Sequence, residues 1–407
     1  MRPTGARSRT PLLLPLGDST LRFNPDYELV QLDRLPAEQR ESLDALQQDP
    51  SFYGIVRSRF ATGLSPKSVS RDTAHLLIAL QEPRQLPDRV TADADAMLAV
   101  TQLVCDGILQ VAGEAGWLCG PAACRFDATT SDATTSEEPP GILADLSLRA
   151  LKHAAALRTG DTTELSGHLY RYNLLPLTPE WLRRFSDTTA VQEFLQIQAG
   201  GRVRWELDRF WTRVSPAAEQ GAWMAWSSRT IAMPPDAATC KLYLSPLPSR
   251  LRDAFRIWLA AITAAGAFHF KIGNDVRGLL RPDKMVAYFG DRAALEEAAR
   301  RIARELTDCP AQGVPFTSEL DYGALLSWGA DPPSEEAVPV WLRRQSWRQW
   351  ICNRLGAALA VAKHHPSDSM PAWRFALARL QLEGPDLTNW VARSQDGQSE
   401  TVAEVAV

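Results

Sequence analysis

Three short segments constrain the fold of this chain most, because apolar residues alternate in them with polar or charged ones. They are 240–244 (CKLYL), 268–272 (FHFKI) and 281–289 (RPDKMVAYF). This alternation predicts half-buried β-strands, since neighbouring side chains in a strand point to opposite faces. Phe268, Phe270 and Ile272 are therefore expected to point together into a core.

The opposite face of the same segments is expected to be cationic. Only six of the 44 basic residues are lysines, and three of the six, Lys241, Lys271 and Lys284, lie in these segments. The two-residue period puts Lys241 with Tyr243 and Lys271 with His269. Such a face predicts an anion pocket, in which crowded positive charges lower the pKa of a lysine.

The pattern of elements predicts an α+β fold, with a helical N-terminal half and a C-terminal antiparallel or mixed sheet with packed helices. Helical periodicity covers 93–117 and 250–265, and Asp291 is expected to cap a helix that ends at Leu306. Apolar and charged residues alternate over 202–207, which predicts another strand there.

Changes in composition divide the chain into four regions. We expect an irregular N-terminal segment at 1–35 and a mainly helical region at 36–165. An α+β domain at 166–395 and a disordered tail at 396–407 are expected to follow. Within the helical region, 127–140 duplicates an Asp-Ala-Thr-Thr-Ser unit and has no apolar period, which predicts a disordered loop.

Composition excludes several classes of protein. The chain is 45% hydrophobic and 23% charged with a net charge of −4, which argues against a nucleic-acid binder. Six cysteines without a CxxC pair argue against zinc and against a disulfide framework. The N-terminal apolar run is short and broken by prolines, and no stretch is long enough to span a membrane. A cytoplasmic protein is expected.

The chain also lacks the common nucleotide and metal motifs. There is no GxxxxGK[ST], no GxGxxG after a strand, no HRD or DFG, and no HExxH. No cofactor and no metal are therefore expected. If the substrate carries a phosphate group, a separate protein must have attached it.

The cationic face suits β-elimination of phosphate from phosphoserine or phosphothreonine. This reaction needs a neutral base for the Cα proton, cations for the departing phosphate, and a hydrogen-bond or proton donor. Lys271 is the expected base, and Lys241 and Arg281 are the expected phosphate ligands. His269 and Tyr243 are alternative donors, and His168 is the next candidate.

Each assignment also has an ordinary structural explanation. Lys271 on a strand is compatible with a solvated outer face, and His269 with packing between phenylalanines. Arg281 and Asp283 are compatible with a surface ion pair. Tyr243 is compatible with the preference of tyrosine for strands.

Several pieces of the chain carry a resemblance to a known family. They are Leu169–Tyr172, Phe194-Leu195 with Gly200-Gly201, Lys241–Leu244, Gly266–Lys271, Arg281–Asp283 with Val286 and Tyr288, Val314–Thr317 with Gly323, Asp331-Pro332, and Ser346–Cys352. In this order they resemble the HopA-type effector family. Members of that family occur beside a kinase-like protein in gene clusters for class V lanthipeptides and thioamitides.

The same cluster is distantly similar to the phosphothreonine lyase effectors. The resemblance puts their phosphate-binding lysine on Lys241, their base on Lys271 and their phosphate-binding arginine on Arg281. Thr317, in a matching piece, is a further phosphate-binding candidate. The lyase effectors carry an acid histidine where this chain has Tyr243, so the donor stays open between Tyr243 and His269.

The positions after Ser346 also depart from the family. The HopA-type pattern usually continues with glycine and histidine after this serine, whereas this chain has Trp347, Arg348 and Gln349.

The resemblance implies a lyase of peptide maturation. It would convert phosphorylated Ser or Thr of a ribosomal precursor peptide into dehydroalanine or dehydrobutyrine, with a separate kinase-like protein as partner. The alternative is a non-catalytic scaffold that binds the leader peptide and activates a partner kinase or cyclase. A third interpretation is an effector that acts on host phosphoproteins.

Overall fold

The structure is a computed structural model that describes most of the chain. The described residues are 12–13, 16–43, 46, 49–114, 116–125, 141–214, 223–233, 239–320, 322–332 and 345–392. They form two compact units. The first contains the described residues of 1–137, 151–170 and 332–387, and the second those of 138–150, 171–331 and 388–407.

The described strands and helices are numbered along the chain. The strands are β1 Leu12–Leu13, β2 Leu21–Phe23, β3 Tyr27–Gln31, β4 Phe52–Ser58, β5 Lys67–Ser70, β6 Leu109–Gly113, β7 Gly116–Leu118, β8 Cys124–Arg125, β9 Trp211–Arg213, β10 Trp223–Ser228, β11 Cys240–Leu244, β12 His269–Gly273, β13 Met285–Phe289, β14 Ser318–Glu319, β15 Leu326–Gly329, β16 Pro385–Asp386 and β17 Val391–Ala392. The helices are α1 Ala37–Ser42, α2 Arg71–Ala79, α3 Asp88–Thr91, α4 Ala94–Cys105, α5 Ile142–Ala156, α6 Thr162–Arg171, α7 Pro179–Arg184, α8 Thr188–Leu195, α9 Arg204–Phe210, α10 Leu251–Ala264, α11 Val276–Leu279, α12 Arg292–Glu305, α13 Trp347–His364 and α14 Ala372–Gln381.

The second unit is built on a seven-stranded antiparallel sheet. Its strand order is β14-β15-β11-β13-β12-β10-β9. Helices α10 and α12 contribute to the apolar core that also contains the inward side chains of the central strands. The side chain of Asp291 accepts a hydrogen bond from the backbone N–H of Ala294 and caps α12 as expected. These elements confirm the α+β class.

The first unit combines helices with small antiparallel sheets. Strands β2, β6 and β7 form one sheet and β3, β4 and β5 another. Its apolar core contains buried residues from both sheets and from α2 and α4, among them Leu21, Val56, Leu77 and Val104. The ion pair between Arg379 and Asp106 is buried within this unit. Burial of paired strands explains why this region contains more β-structure than its composition predicts.

The structure differs from the prediction at two long segments. The helix expected over 93–117 ends at Cys105, because Gly107 adopts a φ of 76° that ends the helix before β6 and β7. The strand expected over 202–207 is the helix α9. Its side chains support a helix because Arg204 pairs with Asp208 one turn later.

The expected regions compare with the structure as follows. Residues 1–35, expected to be irregular, contain β2 and β3, and 36–165 contains β4 to β8 as well as helices. The helices α13 and α14, expected within 166–395, group with the first unit. The loop 127–140 and the tail 396–407 lie outside the described residues. Among the helices of the described part, none is long and apolar enough to cross a bilayer.

Candidate active site

The predicted cationic residues lie on one face of the seven-stranded sheet. Across β11, β13 and β12, Lys241 is opposite Tyr288, which is opposite His269. Two residues along each strand, Tyr243 is opposite Val286, which is opposite Lys271. Two strand spacings separate the outer members of each row, which places their Cα atoms about 10 Å apart.

The other face of these strands is the core of the unit. Leu242, Ala287 and Phe270 alternate with the residues named above and belong to the apolar cluster shared with α10 and α12. Phe268 differs from its expected direction, because it precedes β12 and its ring lies 6.3 Å from that of Tyr288. The division of the sheet into a core face and a cationic face is therefore as the alternation predicts.

Lys271 and Arg281 meet at one aromatic ring. The Nζ atom of Lys271 lies 4.4 Å from the ring centroid of Trp223, and the guanidinium carbon of Arg281 lies 5.0 Å from the same centroid. Trp223 is the first residue of β10, directly opposite Gly273 of β12. Each cation gains a cation–π attraction, and we call the place where the two cations share this indole the cleft at Trp223.

Arg281 reaches this cleft from a loop. It lies between α11 and β13 rather than in the strand-like segment that the sequence predicts. Its Nε and Nη2 atoms donate to the two carboxylate oxygens of Asp283, at 2.8 and 2.9 Å, and Asp283 is buried. This two-point pairing fixes the plane of the guanidinium.

Lys241 is held by a different carboxylate. It is 6% exposed, and its ammonium pairs with Oδ1 of Asp331. Oδ2 of Asp331 accepts hydrogen bonds from the backbone N–H, at 3.2 Å, and from the hydroxyl of Thr239. Lys241 thus lies on the cationic face with its charge balanced by a carboxylate whose side chain is 40% exposed.

Tyr288 lies between Lys241 and His269 in the sheet and is opposite both of them. The Nζ atom of Lys241 is 5.8 Å from its ring centroid. Burial is the main cause that raises the pKa of Tyr288 to about 12; the charge of Lys241 opposes this rise, and the charges of Asp331 and Asp283 contribute to it. The phenol therefore stays protonated at neutral pH and can donate a hydrogen bond.

His269 is less suited to act as a cationic acid than the sequence predicts. Its Nδ1 atom lies 3.2 Å from the hydroxyl of Ser227, and its ring meets the ring of Tyr288 edge-on with centroids 5.2 Å apart. Burial and the charge of Lys271 lower the pKa of His269 to about 4. At neutral pH the imidazole is uncharged.

Tyr243 and Thr317 lie deeper in the same unit. Tyr243 is buried and packs with Val286 and Val314. Thr317 is 1% exposed, and its hydroxyl is hydrogen-bonded to the carbonyl of Val314 and to the hydroxyl of Ser327. Ser327 is directly opposite Tyr243. In this arrangement the hydroxyl of Thr317 connects the backbone at Val314 with Ser327 on β15.

One predicted residue lies outside the sheet, and several residues near its cations were not predicted. His168 lies on α6, within the first unit. Sequence reasoning did not select Trp223, Tyr288, Asp283 or Asp331. Tyr288 could have been found, because it lies two residues after Val286 and so shares the face of the lysines. Within the described part of the chain, no group of three or more His, Cys, Asp or Glu residues could hold a metal ion.

Comparisons with solved structures find bacterial effector proteins, at low similarity. No family model matches the sequence, and no curated protein matches it. An effector protein from Pseudomonas syringae pv. tomato strain DC3000 matches with a TM-score of 0.37 and 14% identity, over 62% of this chain and 99% of that one. An effector from Pseudomonas syringae pv. syringae strain 61 matches with a TM-score of 0.40 and 13% identity, over 64% and 100%.

The type III effector and phosphothreonine lyase OspF from Shigella flexneri also matches. Its TM-score is 0.24 with 12% identity, over 29% of this chain and 68% of that one. At these identities and TM-scores, the similarities assign neither an activity nor a substrate to this chain.

Proposed function

We propose that the protein is a lyase that eliminates phosphate from phosphoserine or phosphothreonine residues of a ribosomal precursor peptide. The products are dehydroalanine and dehydrobutyrine, and a separate kinase supplies the phosphate. The observation that carries the proposal is the cleft at Trp223, where a lysine and an arginine face the same ring. An arginine beside a lysine base is what phosphate elimination requires.

In the proposed reaction, the Nζ atom of Lys271 removes the Cα proton of the phosphorylated residue. The electron pair of that C–H bond forms the Cα–Cβ double bond, and the bond from Cβ to the phosphate oxygen breaks. Phosphate leaves with the electron pair of that bond. For Lys271 to act in this way its amine must be neutral, so its pKa has to lie well below about 10.4. Arg281 stays charged throughout and binds the departing phosphate.

Lys241 serves as the second phosphate ligand in this proposal. In the structure the ammonium of Lys241 is paired with the carboxylate of Asp331, so phosphate has to displace that carboxylate or share the ammonium with it. A charge-assisted contact of this kind contributes about 1.5–3 kcal/mol. The buried position of Lys241 suits this role, because screening by water is weak there.

A phenol is the preferred donor. With a pKa of about 4, His269 is protonated only where Lys271 would be protonated as well. A cationic His269 and a neutral Lys271 therefore do not occur together. Tyr243 has the position that the lyase effectors give their acid, and Tyr288 offers a second phenol beside Lys241. Either phenol can protonate the leaving phosphate or stabilise the developing negative charge.

The proposal is tested by incubating the purified protein with a phosphorylated peptide and measuring loss of phosphoric acid by mass spectrometry. The control variant is Lys152→Ala, because Lys152 also lies against an indole, 4.9 Å from the ring centroid of Trp373, outside the site. We expect elimination by the wild type and by Lys152→Ala and none by Lys271→Ala. If the wild type leaves the phosphopeptide intact but binds it, the scaffold alternative replaces the lyase.

A further inference from the structure

A pocket of about 370 Å³ lies beside β9, away from the cleft at Trp223. β9 is the last strand at this end of the sheet among the described residues. Phe210, Trp211, Ile231 and Ala264 are among the residues that line the pocket, together with the polar Glu206, Ser228, Thr230 and Thr263. The indole N–H of Trp211 donates to the hydroxyl of Thr263 at 2.9 Å, so the indole presents mainly carbon to the pocket. A cavity of this size accommodates a large apolar side chain.

Arginines surround this pocket. Arg209 lies 5.1 Å from the ring centroid of Phe210, and the Nε atom of Arg229 donates to the carbonyl of Trp211 at 3.0 Å. Both side chains are exposed. The third arginine, Arg256, is close enough to Glu206, a pocket residue, to lower its pKa against the raising effect of burial.

The rim is therefore positive although the whole chain is negative. Arg209 and Arg229 contact the pocket residues Phe210 and Trp211, and Arg256 lies near Glu206, the one carboxylate of the pocket lining, whereas the chain has a net charge of −4. The hydroxyl of Thr263 also hydrogen-bonds to Glu206, which keeps that carboxylate engaged at the wall. A locally positive rim in an acidic protein selects an acidic partner and repels a basic one.

An exposed aromatic residue extends the same surface. Trp205 is 64% exposed, and the guanidinium of Arg209 lies 5.0 Å from its ring centroid. Ile231, which lines the pocket, is 38% exposed. Aromatic residues and arginine are the residues that most often dominate the binding energy of an interface.

The position of the pocket relative to the cleft sets the spacing of a ligand that reaches both. Trp211 is opposite Ser228, on the helix side of the sheet, whereas Lys271 is opposite Ala225 on the cationic side. Two strand spacings and the thickness of the sheet separate the two places, on the order of 20 Å. An extended peptide needs about six residues to cover this distance.

We propose that the pocket and its arginines dock an acidic segment of the peptide substrate, with one large apolar side chain in the pocket. The segment lies at least six or so residues from the phosphorylated residue. This inference rests on the proposed function for the identity of the partner as the peptide substrate. The charge of the rim and the apolar wall determine the chemistry of the segment.

The test uses two synthetic phosphoserine peptides and the full chain. One peptide carries Asp-Leu-Glu-Phe-Asp-Glu eight residues from the phosphoserine, and in the other lysine replaces each acidic residue. Binding is measured by fluorescence anisotropy, also with unphosphorylated versions. We expect the acidic peptide to bind at least ten times more tightly than the basic one. Equal affinities, or tighter binding of the basic peptide, overturn the proposal.

Variants separate the charge of the rim from the shape of the pocket. Arg209→Glu with Arg229→Glu reverses the charge at two positions of the rim, and Ala264→Trp fills the pocket without changing charge. Each variant is expected to bind the acidic peptide about ten times more weakly than the wild type, or more weakly still. The matched control is Arg301→Glu on α12, an exposed arginine paired with Glu297. Loss of affinity in the control equal to that in the rim variant also overturns the proposal.

Elimination from a short phosphopeptide without the acidic segment distinguishes docking from catalysis. The rim and pocket variants are expected to process this short peptide at the wild-type rate. A second outcome is that the wild type and all variants leave every phosphopeptide intact while the unphosphorylated acidic peptide still binds at the rim. In that case the docking surface stands and the lyase proposal fails. If elimination proceeds and both rim and pocket variants bind the acidic peptide normally, the docking surface is excluded.

Discussion

Lys241 and Asp331 form an ion pair on the cationic face of the sheet, between a buried ammonium and a partly exposed carboxylate. The carboxylate is also hydrogen-bonded to the backbone and hydroxyl of Thr239. Removing one partner of such a pair leaves the other charge without compensation in a poorly solvated place. An anionic group that reaches Lys241 then takes the place of the carboxylate.

We therefore expect Asp331→Asn to destabilise the free protein by about 1–3 kcal/mol. The substitution leaves the buried ammonium of Lys241 unpaired, and the partial exposure of position 331 reduces the cost. The variant should bind inorganic phosphate more tightly than the wild type. Thermal unfolding with and without phosphate measures both effects. If phosphate raises the Tm of Asp331→Asn no more than it raises the Tm of the wild type, the role of Lys241 as an anion ligand is contradicted.

The base is tested by two substitutions of Lys271. Lys271→Ala and Lys271→Arg should both abolish elimination, because alanine has no base and arginine does not lose its proton near neutral pH. The Tm should change by only a few degrees, since this side chain lies on the open face and contributes little to the core. Single-turnover rates on a phosphopeptide measure the loss. Substantial activity in Lys271→Arg would show that a different residue takes the proton.

Arg281 is tested by a substitution that keeps its charge. Arg281→Lys loses the planar fork but leaves a cation beside Asp283, which avoids an uncompensated buried carboxylate. We expect phosphopeptide affinity to fall by roughly tenfold or more, corresponding to about 1.5–3 kcal/mol. The affinity of the unphosphorylated peptide should not change. Equal losses for both peptides would mean that Arg281 maintains the fold and does not bind phosphate.

The lowered pKa of His269 predicts the shape of the pH profile. With a pKa of about 4 the imidazole is neutral above pH 5 or so, and the rate should rise with pH as Lys271 loses its proton. No fall that depends on His269 should follow between pH 6 and 9. Profiles of the wild type, His269→Ala and Tyr243→Phe test this, and we expect the larger loss of rate in Tyr243→Phe. A descending limb that disappears in His269→Ala would restore the histidine as the acid.

Lys284 makes the stability of the fold depend on pH. It is fully buried, its ammonium donates to the carbonyl of Pro246 and to Gln312, and burial lowers its pKa to about 7. Between pH 7 and about 10.5 the unfolded chain holds a proton that the folded chain has lost. The free energy of unfolding therefore rises with pH in this window, by at most about 1.4 kcal/mol per pH unit.

Lys284→Met removes that proton equilibrium. Denaturant unfolding at several pH values should show the rise in the wild type and a flatter curve in the variant. Lys152→Met is the control, because Lys152 is an exposed lysine whose ammonium lies over the ring of Trp373. Parallel curves for the wild type and Lys284→Met would show that Lys284 keeps its ordinary pKa.

The sequence predicts the faces of the central strands well, because a two-residue period leaves one arrangement that buries Leu242, Phe270 and Ala287 together. That is a local property and needs no knowledge of the topology. It places the lysines on a common face. The elements around α10 and α12 are predicted for a similar reason, since a capping aspartate and an apolar stripe specify a helix.

The rest of the site depends on contacts between distant parts of the chain. Asp331 pairs with Lys241 although 90 residues of sequence separate them, and Trp223 of β10 lies against Arg281 in the loop before β13. No local pattern specifies such pairs, because the order of strands in the sheet decides them. Local patterns also fail at 202–207, where alternation predicts a strand but a helical ion pair and burial of Leu207 prevail.

The division of each central strand between packing and chemistry makes the reactive groups separable from the fold. In β12 every second residue lies outside the apolar core, so His269 and Lys271 can be exchanged together without removing the apolar layer beneath, whereas Lys241 and Tyr243 of β11 are buried. A protein altered in this way would remain folded yet inert. Under the proposed lyase function, it would hold a phosphorylated peptide without consuming it and would serve as a molecular trap for identifying that peptide.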